Sequence, residues 1–285
     1  MKIGISTNSF AVKSYGRWGD ETYKKLREHG FECIDFDMSN TESGLYILSE
    51  EELAEKIEHE KNLLKEAGIT VNQVHGPWRF PARDFKDEDR EERIESMKKS
   101  IRMTAALGCK NWVVHPFMPY GVCEAGHKLG GYTWNVNCKL IAELLPTARE
   151  CDVTICLENM PFLRYSLSKP EMILKLVEHI NDEYLKICLD TGHVAAFREL
   201  NLADEVRRLG KWIKVLHVHD TMPKKDLHLM PTLGVINWGE FAGALREIGY
   251  DGVFSLETNP PQKLCDREFE IVSKKLFKVT KEIDR

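Results

Sequence analysis

The sequence predicts an α/β fold, a single (β/α)8 barrel of the TIM-barrel type in one domain spanning residues 1–285. Three observations predict it. Eight short apolar runs alternate with eight longer amphipathic runs, and continuously apolar strands between helices imply a parallel sheet. No linker or compositional break divides the chain, and 285 residues accommodate eight such units in one domain. The first strand-to-helix turn, STNSF, lacks the glycine spacing of a dinucleotide-binding turn, and no P-loop motif occurs, which disfavours a doubly wound sheet.

Lys2–Ser6 is an apolar first strand, followed by a loop carrying Phe10, Tyr15 and Trp18. A helix then runs to His29 and Gly30, and the second strand, Phe31–Phe36, ends at Asp37. Ser49 and Glu52 have the spacing of a capping box, and Leu53, Ile57, Leu64 and Ala67 set one apolar stripe on the helix that Gly68 stops. Thr70–Val74 ends in His75. A charged helix after Asp87 turns Ile94, Met97, Ile101 and Ala105 to one face, and Asn111–Val114 ends in His115. The stretch from Pro116 to Tyr132, rich in Gly and aromatics, has the length and composition of a lid or pocket wall. Leu140, Ile141, Leu144 and Leu145 belong to a fourth helix, which Pro146 is expected to kink or split.

In the second half, Val153–Leu157 ends in Glu158, and Ser168 with Glu171 is expected to cap the next helix. Leu185–Leu189 ends in Asp190, with His193 just beyond. A polar-faced helix near Leu200–Leu209 precedes the seventh strand, whose stretch WIKVLHVHDTMPKKDLH carries His217, His219, Asp220, Asp226 and His228. Asn237 and Glu240 cap a helix that Gly249 stops. Gly252–Leu256 ends in Glu257, and Asp266–Ile283 closes the chain with Phe269, Val272, Leu276 and Val279 facing inward.

Composition narrows the function classes. A net charge of −5, with Lys and Arg scattered among Asp and Glu, argues against a nucleic-acid-binding surface. The start, MKIGISTNSF, turns polar too soon for a signal peptide, and no apolar run approaches the ~18 residues of a membrane span, so a cytoplasmic location is expected. Eight cysteines contain no CxxC pair, and Cys33, Cys156 and Cys188 read as buried thiols in strands rather than disulfides or zinc ligands.

The chemistry lies at the strand ends. In a (β/α)8 barrel all strand carboxyl ends converge on one face, where active sites lie. Strands three to eight end in His75, His115, Glu158, Asp190, His217 and Glu257. One such residue alone reads as a polar strand cap; six in succession read as a site. Three carboxylates and an imidazole gathered in one mouth would repel or take up protons, and a divalent ion removes that conflict. Oxygen and nitrogen donors without thiolate suit Mn²⁺, Mg²⁺, Co²⁺ or a catalytic Zn²⁺.

The motifs VHGPW, VVHPF, CLENMP, CLDTGH, LHVHD, DLHLMPTLGVINW and SLET, in that order, resemble those of the xylose isomerase-like barrel superfamily, which includes sugar isomerases and epimerases, inosose dehydratases and endonuclease IV. The resemblance covers nearly the whole chain and implies a metal-dependent sugar or sugar-phosphate isomerase or epimerase. By it, Glu158, Asp190, His217 and Glu257 match the four-ligand metal centre of the ketose 3-epimerases, with Glu158 and Glu257 as acid and base through an enediolate. His217 rather than His219 is the ligand on this alignment. His193 matches a substrate-contacting His, and His75, His115, Asp226 and His228 join it as substrate-binding candidates. The same five residues also match positions that complete the three-zinc site of endonuclease IV, which keeps a zinc phosphodiesterase as the alternative, beside an inosose-type dehydratase. The departures MPFLRY after LEN, DTGHVAAF without a Cys between Thr and His, and HVHD in place of HLND weigh against the nuclease. The implied partner is a small sugar, with neither nucleic acid nor membrane, and self-association is left open.

Other residues have plainer readings. His29, His59 and His179 fall on helices and are expected to face solvent. His127, Arg79 and Arg164 read first as surface groups, with substrate contact the minor alternative. Trp78, Phe80, Phe117, Tyr120 and Trp134 are candidates for an apolar wall, and Asp35 and Asp37 share one side of the second strand.

Overall fold

The computed structural model describes residues 1–9, 18–42, 44–78, 87–118, 129–259 and 263–283. Eight parallel strands carry the site: β1 (Lys2–Ser6), β2 (Cys33–Asp37), β3 (Thr70–His75), β4 (Asn111–Val114), β5 (Thr154–Glu158), β6 (Leu185–Asp190), β7 (Ile213–His217) and β8 (Val253–Leu256). From β1 to β7 each strand pairs with its neighbour in sequence, and β8 pairs with β1. Between β7 and β8 the Val218 N–H donates to Ser255 O at 2.8 Å and the Glu257 N–H to Val218 O at 3.0 Å. These bonds bring the first and last strands of the sheet together, as a TIM barrel requires.

The helices are α1 (Thr22–His29), α2 (Glu50–Ala67), α3 (Asp87–Ala106), α4 (Leu129–Glu150), α5 (Pro170–Ile180), α6 (Thr191–Ala195), α7 (Leu202–Leu209), α8 (Trp238–Glu247) and α9 (Asp266–Ile283). The Ser49/Glu52 capping box forms in both directions, and Gly68 ends α2 in the left-handed conformation at φ 65°. Asn237 caps α8 by accepting from the Glu240 N–H. The large core joins the outer strand faces to the helices: Ile3, Ile34, Trp112, Leu144, Ile173 and Phe241 are all fully buried. Val113, Cys156, Cys188 and Val215, one from each of four successive strands, make a second and smaller apolar cluster.

Three local expectations are corrected. Pro146 does not split α4, which runs unbroken because Leu140, Ile141, Leu144, Leu145 and Ala148 bury one face on both sides of it. Ser168 does not cap α5. Pro170 takes the first helical position, so Lys169 stands at the N-cap, and Ser168 ends the preceding 3-10 turn. His29 is buried, not solvent-facing: α1 packs on α9, the ring Nδ1 lies 2.8 Å from Ser273 Oγ, and Trp18 packs edge-on against it. His59 and His179 are exposed as expected, and no described helix is long and apolar enough to cross a membrane.

Candidate metal centre

The apolar strands end where their polar residues begin, and those ends converge. Glu158, Asp190, His217 and Glu257 each present a ligand-type atom within 4.8 Å of the others'. His217 Nδ1 lies 2.9 Å from Glu158 Oε1 and 3.4 Å from Glu257 Oε2. Donors bonded to one cation at about 2.1 Å stand roughly 3–4 Å apart, so the spacing fits a shared ion. The set contains no thiolate, in keeping with a borderline or hard divalent cation.

The other expected residues lie around this set. His75 and His115 form a group with Glu158, and His193, Asp226 and His228 form another with His219. Glu158 Oε2 is buried and makes no hydrogen bond, although His115 Nε2 lies 3.1 Å away and His75 Nε2 3.7 Å away. Lone pairs facing one another around an orphaned carboxylate oxygen is an arrangement that a cation satisfies. His219, set aside on the sequence, has its Nε2 3.0 Å from Asp190 Oδ1 and stacks on the His228 ring at 4.0 Å. Its i, i+2 spacing from His217 was the signal that it shares the same side of the chain.

Local structure explains the motifs. Asp190 ends β6 and caps α6, accepting from the His193 N–H at 2.6 Å. Asn159 holds the Asp190 backbone from both sides, through its Oδ1 at 2.8 Å and its Nδ2 at 3.1 Å, and its carbonyl meets His193 Nδ1 at 2.7 Å. A Cβ at Gly192 would come within 2.0 Å of the His219 ring, so the DTGH turn requires glycine. Asp220 accepts from the Thr221, Thr232 and Ile236 N–H groups and from Trp238 Nε1, which ties down the loop carrying Asp226 and His228. A Cβ on Gly234 would press on the same carboxylate at 2.2 Å.

The electrostatics follow from burial of many charges. Burial pushes the Glu158 carboxyl up, but the His217 and His115 imidazoles outweigh it and hold it well below the usual range. Burial leaves Glu257 raised, with His217 and His228 pulling the other way. Asp190 is lowered: burial opposes this, and the His193 and His219 rings overcome it. Burial would lower His193 and His228, yet neighbouring carboxylates raise them to about 10 and about 9. His115, where burial dominates, is lowered to about 4. The carboxylates therefore demand positive charge, which protonated imidazoles supply and a divalent cation would supply in their place.

A cavity of about 240 Å³ opens above these groups. Its wall includes Ser6, Asn8, Ser9 and Asp37 from the β1 and β2 ends, Trp78, Met160, Pro161, Phe162 and Asn259. Of the aromatic candidates, Trp78 lines the cavity and tilts over His115 at 5.6 Å. Phe117 is buried under Arg93, Trp134 packs on His179, and Arg164 is exposed away from the cavity. Phe10, Tyr15, Arg79, Phe80, Tyr120 and His127, with most of the Pro116–Tyr132 stretch, lie outside the described residues. Of the two acidic residues that share one side of β2, Asp37 lines the cavity and Asp35 is fully buried beside His217.

Fold and site together define a barrel with a polar centre at its strand ends. Residues 23–275 match the family described as xylose isomerase-like TIM barrel, and the chain belongs to that family. A D-psicose 3-epimerase of Enterocloster bolteae is 34% identical over 118 residues, 41% of this chain and 37% of that protein. A probable endonuclease 4 of Staphylococcus carnosus is 31% identical over 186 residues, 60% of this chain and 59% of its own length. The solved structure of a D-tagatose 3-epimerase-like protein superposes with a TM-score of 0.78 at 26% identity, covering 100% of this chain and 98% of the other.

Proposed function

We propose that the chain is a divalent-metal-dependent sugar isomerase or epimerase acting on a ketose or related polyol. The observation that carries this reading is the convergence of Glu158, Asp190, His217 and Glu257 beneath a cavity of about 240 Å³. That volume lies below the ~300–1,000 Å³ of pockets for drug-sized ligands and suits one monosaccharide. The likeness to ketose 3-epimerases supports the same class.

Asp190 and His217 would hold the cation, with Glu158 and Glu257 as its further ligands. When bound, the cation would supply positive charge to offset the negative charge that develops on the substrate. One of the two glutamates removes the proton α to the carbonyl, giving an enediolate, and the other returns a proton. Return to the opposite face of the same carbon epimerises; return to the neighbouring carbon isomerises. His193, held by Asn159 O, and His228, held by Glu257 O, direct Nε2 toward Asp226 and orient substrate hydroxyls with it. Trp78 and Phe162 offer apolar surface to the sugar's C–H face. The test is a panel of ketoses and inososes incubated with Mn²⁺-loaded protein in deuterated water; exchange of an α-proton is expected, and its absence throughout the panel would refute the reading.

One observation favours a second reading, a zinc phosphodiesterase. The His75/His115/Glu158 and His193/His219/Asp226/His228 groups could each hold a further ion. Metal content separates the two: one tightly bound ion per chain fits the isomerase, and three fit the phosphodiesterase.

A further inference from the structure

The imidazoles of the site do not all face it the same way. His75 Nδ1 is 2.9 Å from Gly76 O, His193 Nδ1 2.7 Å from Asn159 O, His219 Nδ1 3.2 Å from Asp220 O and His228 Nδ1 2.8 Å from Glu257 O. A carbonyl oxygen can only accept, so in each ring Nδ1 carries hydrogen and Nε2 turns to the carboxylates. His217 is reversed. Its Nδ1 faces Glu158 and Glu257, and its Nε2 lies 2.9 Å from a carboxylate oxygen, Asp35 Oδ2.

The chain builds Asp35 into this place. Asn72 is an extra residue of β3 between the Ile34–Val71 and Asp35–Gln73 pairs, and this irregularity sets Gln73 opposite Asp35. Gln73 Nε2 donates to Asp35 Oδ2 at 3.3 Å and to Leu216 O at 3.2 Å, while its Oε1 accepts from Asn72 Nδ2 at 2.8 Å. The other Asp35 oxygen is buried without a hydrogen bond. A fully buried carboxylate held by one amide and one imidazole has His217 as its main source of compensation.

We propose that Asp35 is a positioning residue that accepts a hydrogen bond from the Nε2–H of His217 and so presents the Nδ1 lone pair to the four-residue centre. The proposal rests on the reading of that centre as a cation site. The negative charge raises the basicity of Nδ1, and the ring's orientation is fixed further by stacking on His75, at 5.5 Å and 6° between planes. Partners of this kind are worth about 10–100-fold in metal affinity.

Zinc serves as the probe. In zinc-loaded, ¹⁵N-histidine-labelled wild type, with the His217 signals identified by their loss in His217→Gln, Nε2 should carry hydrogen and Nδ1 the metal shift. A ring bound through Nε2 overturns the proposal without recourse to any Asp35 variant. In chelator competition, Asp35→Ala should weaken zinc binding about 10–100-fold. Asp35→Asn, isosteric and still able to accept but uncharged, should fall between. Unchanged affinity in both, beside a wild type that binds zinc, overturns the role of Asp35 alone. A wild type that takes up no zinc overturns this role and the cation reading together.

Discussion

Replacing each glutamate of the centre by glutamine tests the proposed chemistry, and the structure makes the two replacements unequal. Glu158 is buried, joins three of the ligand groups, and faces His217, His115 and His75 with its two oxygens. Glu257 stands nearer the cavity mouth, with 16% of its side chain exposed, and touches the centre through one oxygen at 3.4 Å from His217. Glutamine keeps one oxygen for a cation but cannot accept a proton, so Glu257→Gln should retain the metal almost fully. Glu158→Gln must turn its amide toward one imidazole or the other and should lose part of the metal as well. In both, turnover should fall by about 10²–10⁴, the worth of a general acid or base, or about 2.7–5.5 kcal/mol in the barrier. The assay is exchange of the substrate's α-proton with deuterated water, run beside metal content for each variant. Wild-type exchange in both variants would refute the two-glutamate mechanism and leave a hydride shift or another base.

Metal-ligand loss should look different: Asp190→Ala or His217→Ala should weaken the cation itself, and excess Mn²⁺ should restore part of the activity if the reading is right. Asp220→Asn should destabilise the chain by about 2 kcal/mol, because an amide leaves two of the four N–H donors facing its own NH₂ group; an unchanged melting temperature would refute the anchoring role. Burial, with Lys274 adding to it, lowers the His29 pKa below its ordinary value near 6.5. The unfolded chain therefore binds this proton first, and the His29 contribution, present above pH ~6.5, is lost as pH falls below it. His29→Gln should accordingly lose less melting temperature than wild type between pH 7.5 and 5.5. Finally, no incision at an abasic site is expected, since the described cavity wall carries Asp37, Glu158, Asp226 and Glu257 and no Lys or Arg; incision at low enzyme concentration, with steeply salt-dependent binding, would establish the phosphodiesterase.

The strand ends were legible because a barrel converts a one-dimensional pattern into a place. An apolar run must be buried, its polar terminus must leave the core, and eight parallel runs leave on one side. That logic locates His75, Glu158, Asp190 and His217 without any knowledge of distance. It does not locate Asp35, since a strand puts Asp35 and Asp37 on the same side, and only depth separates them: Asp35, two residues before the strand end, is buried, whereas Asp37 reaches the cavity. Nor does it find His29, whose partner Ser273 is 244 residues away and whose burial depends on α1 meeting α9. Ser168 has the spacing of a cap, but Pro170, which has no N–H to donate, fits the first helical position and moves the N-cap to Lys169.

The small layer beneath the centre shows why chemistry and stability separate in this fold. Val113, Cys156, Cys188 and Val215 fill the space where the strands are still apolar, and Cys188 Sγ lies within 4.8 Å of ligand atoms of both Glu158 and His217. Burial pushes the Cys188 thiol well above its ordinary value, so it stays neutral and serves as a low-dielectric floor. Such a floor strengthens every charge interaction above it, including the His217–Asp35 and His217–Glu158 contacts that set the ring's direction. Among the described residues this apolar layer lies on the side of the centre away from the cavity, toward which Glu257 and Asp226 are partly exposed. The order of polarity along each strand, apolar below and ionisable at the tip, therefore fixes both the strength of the centre and the direction of approach to it.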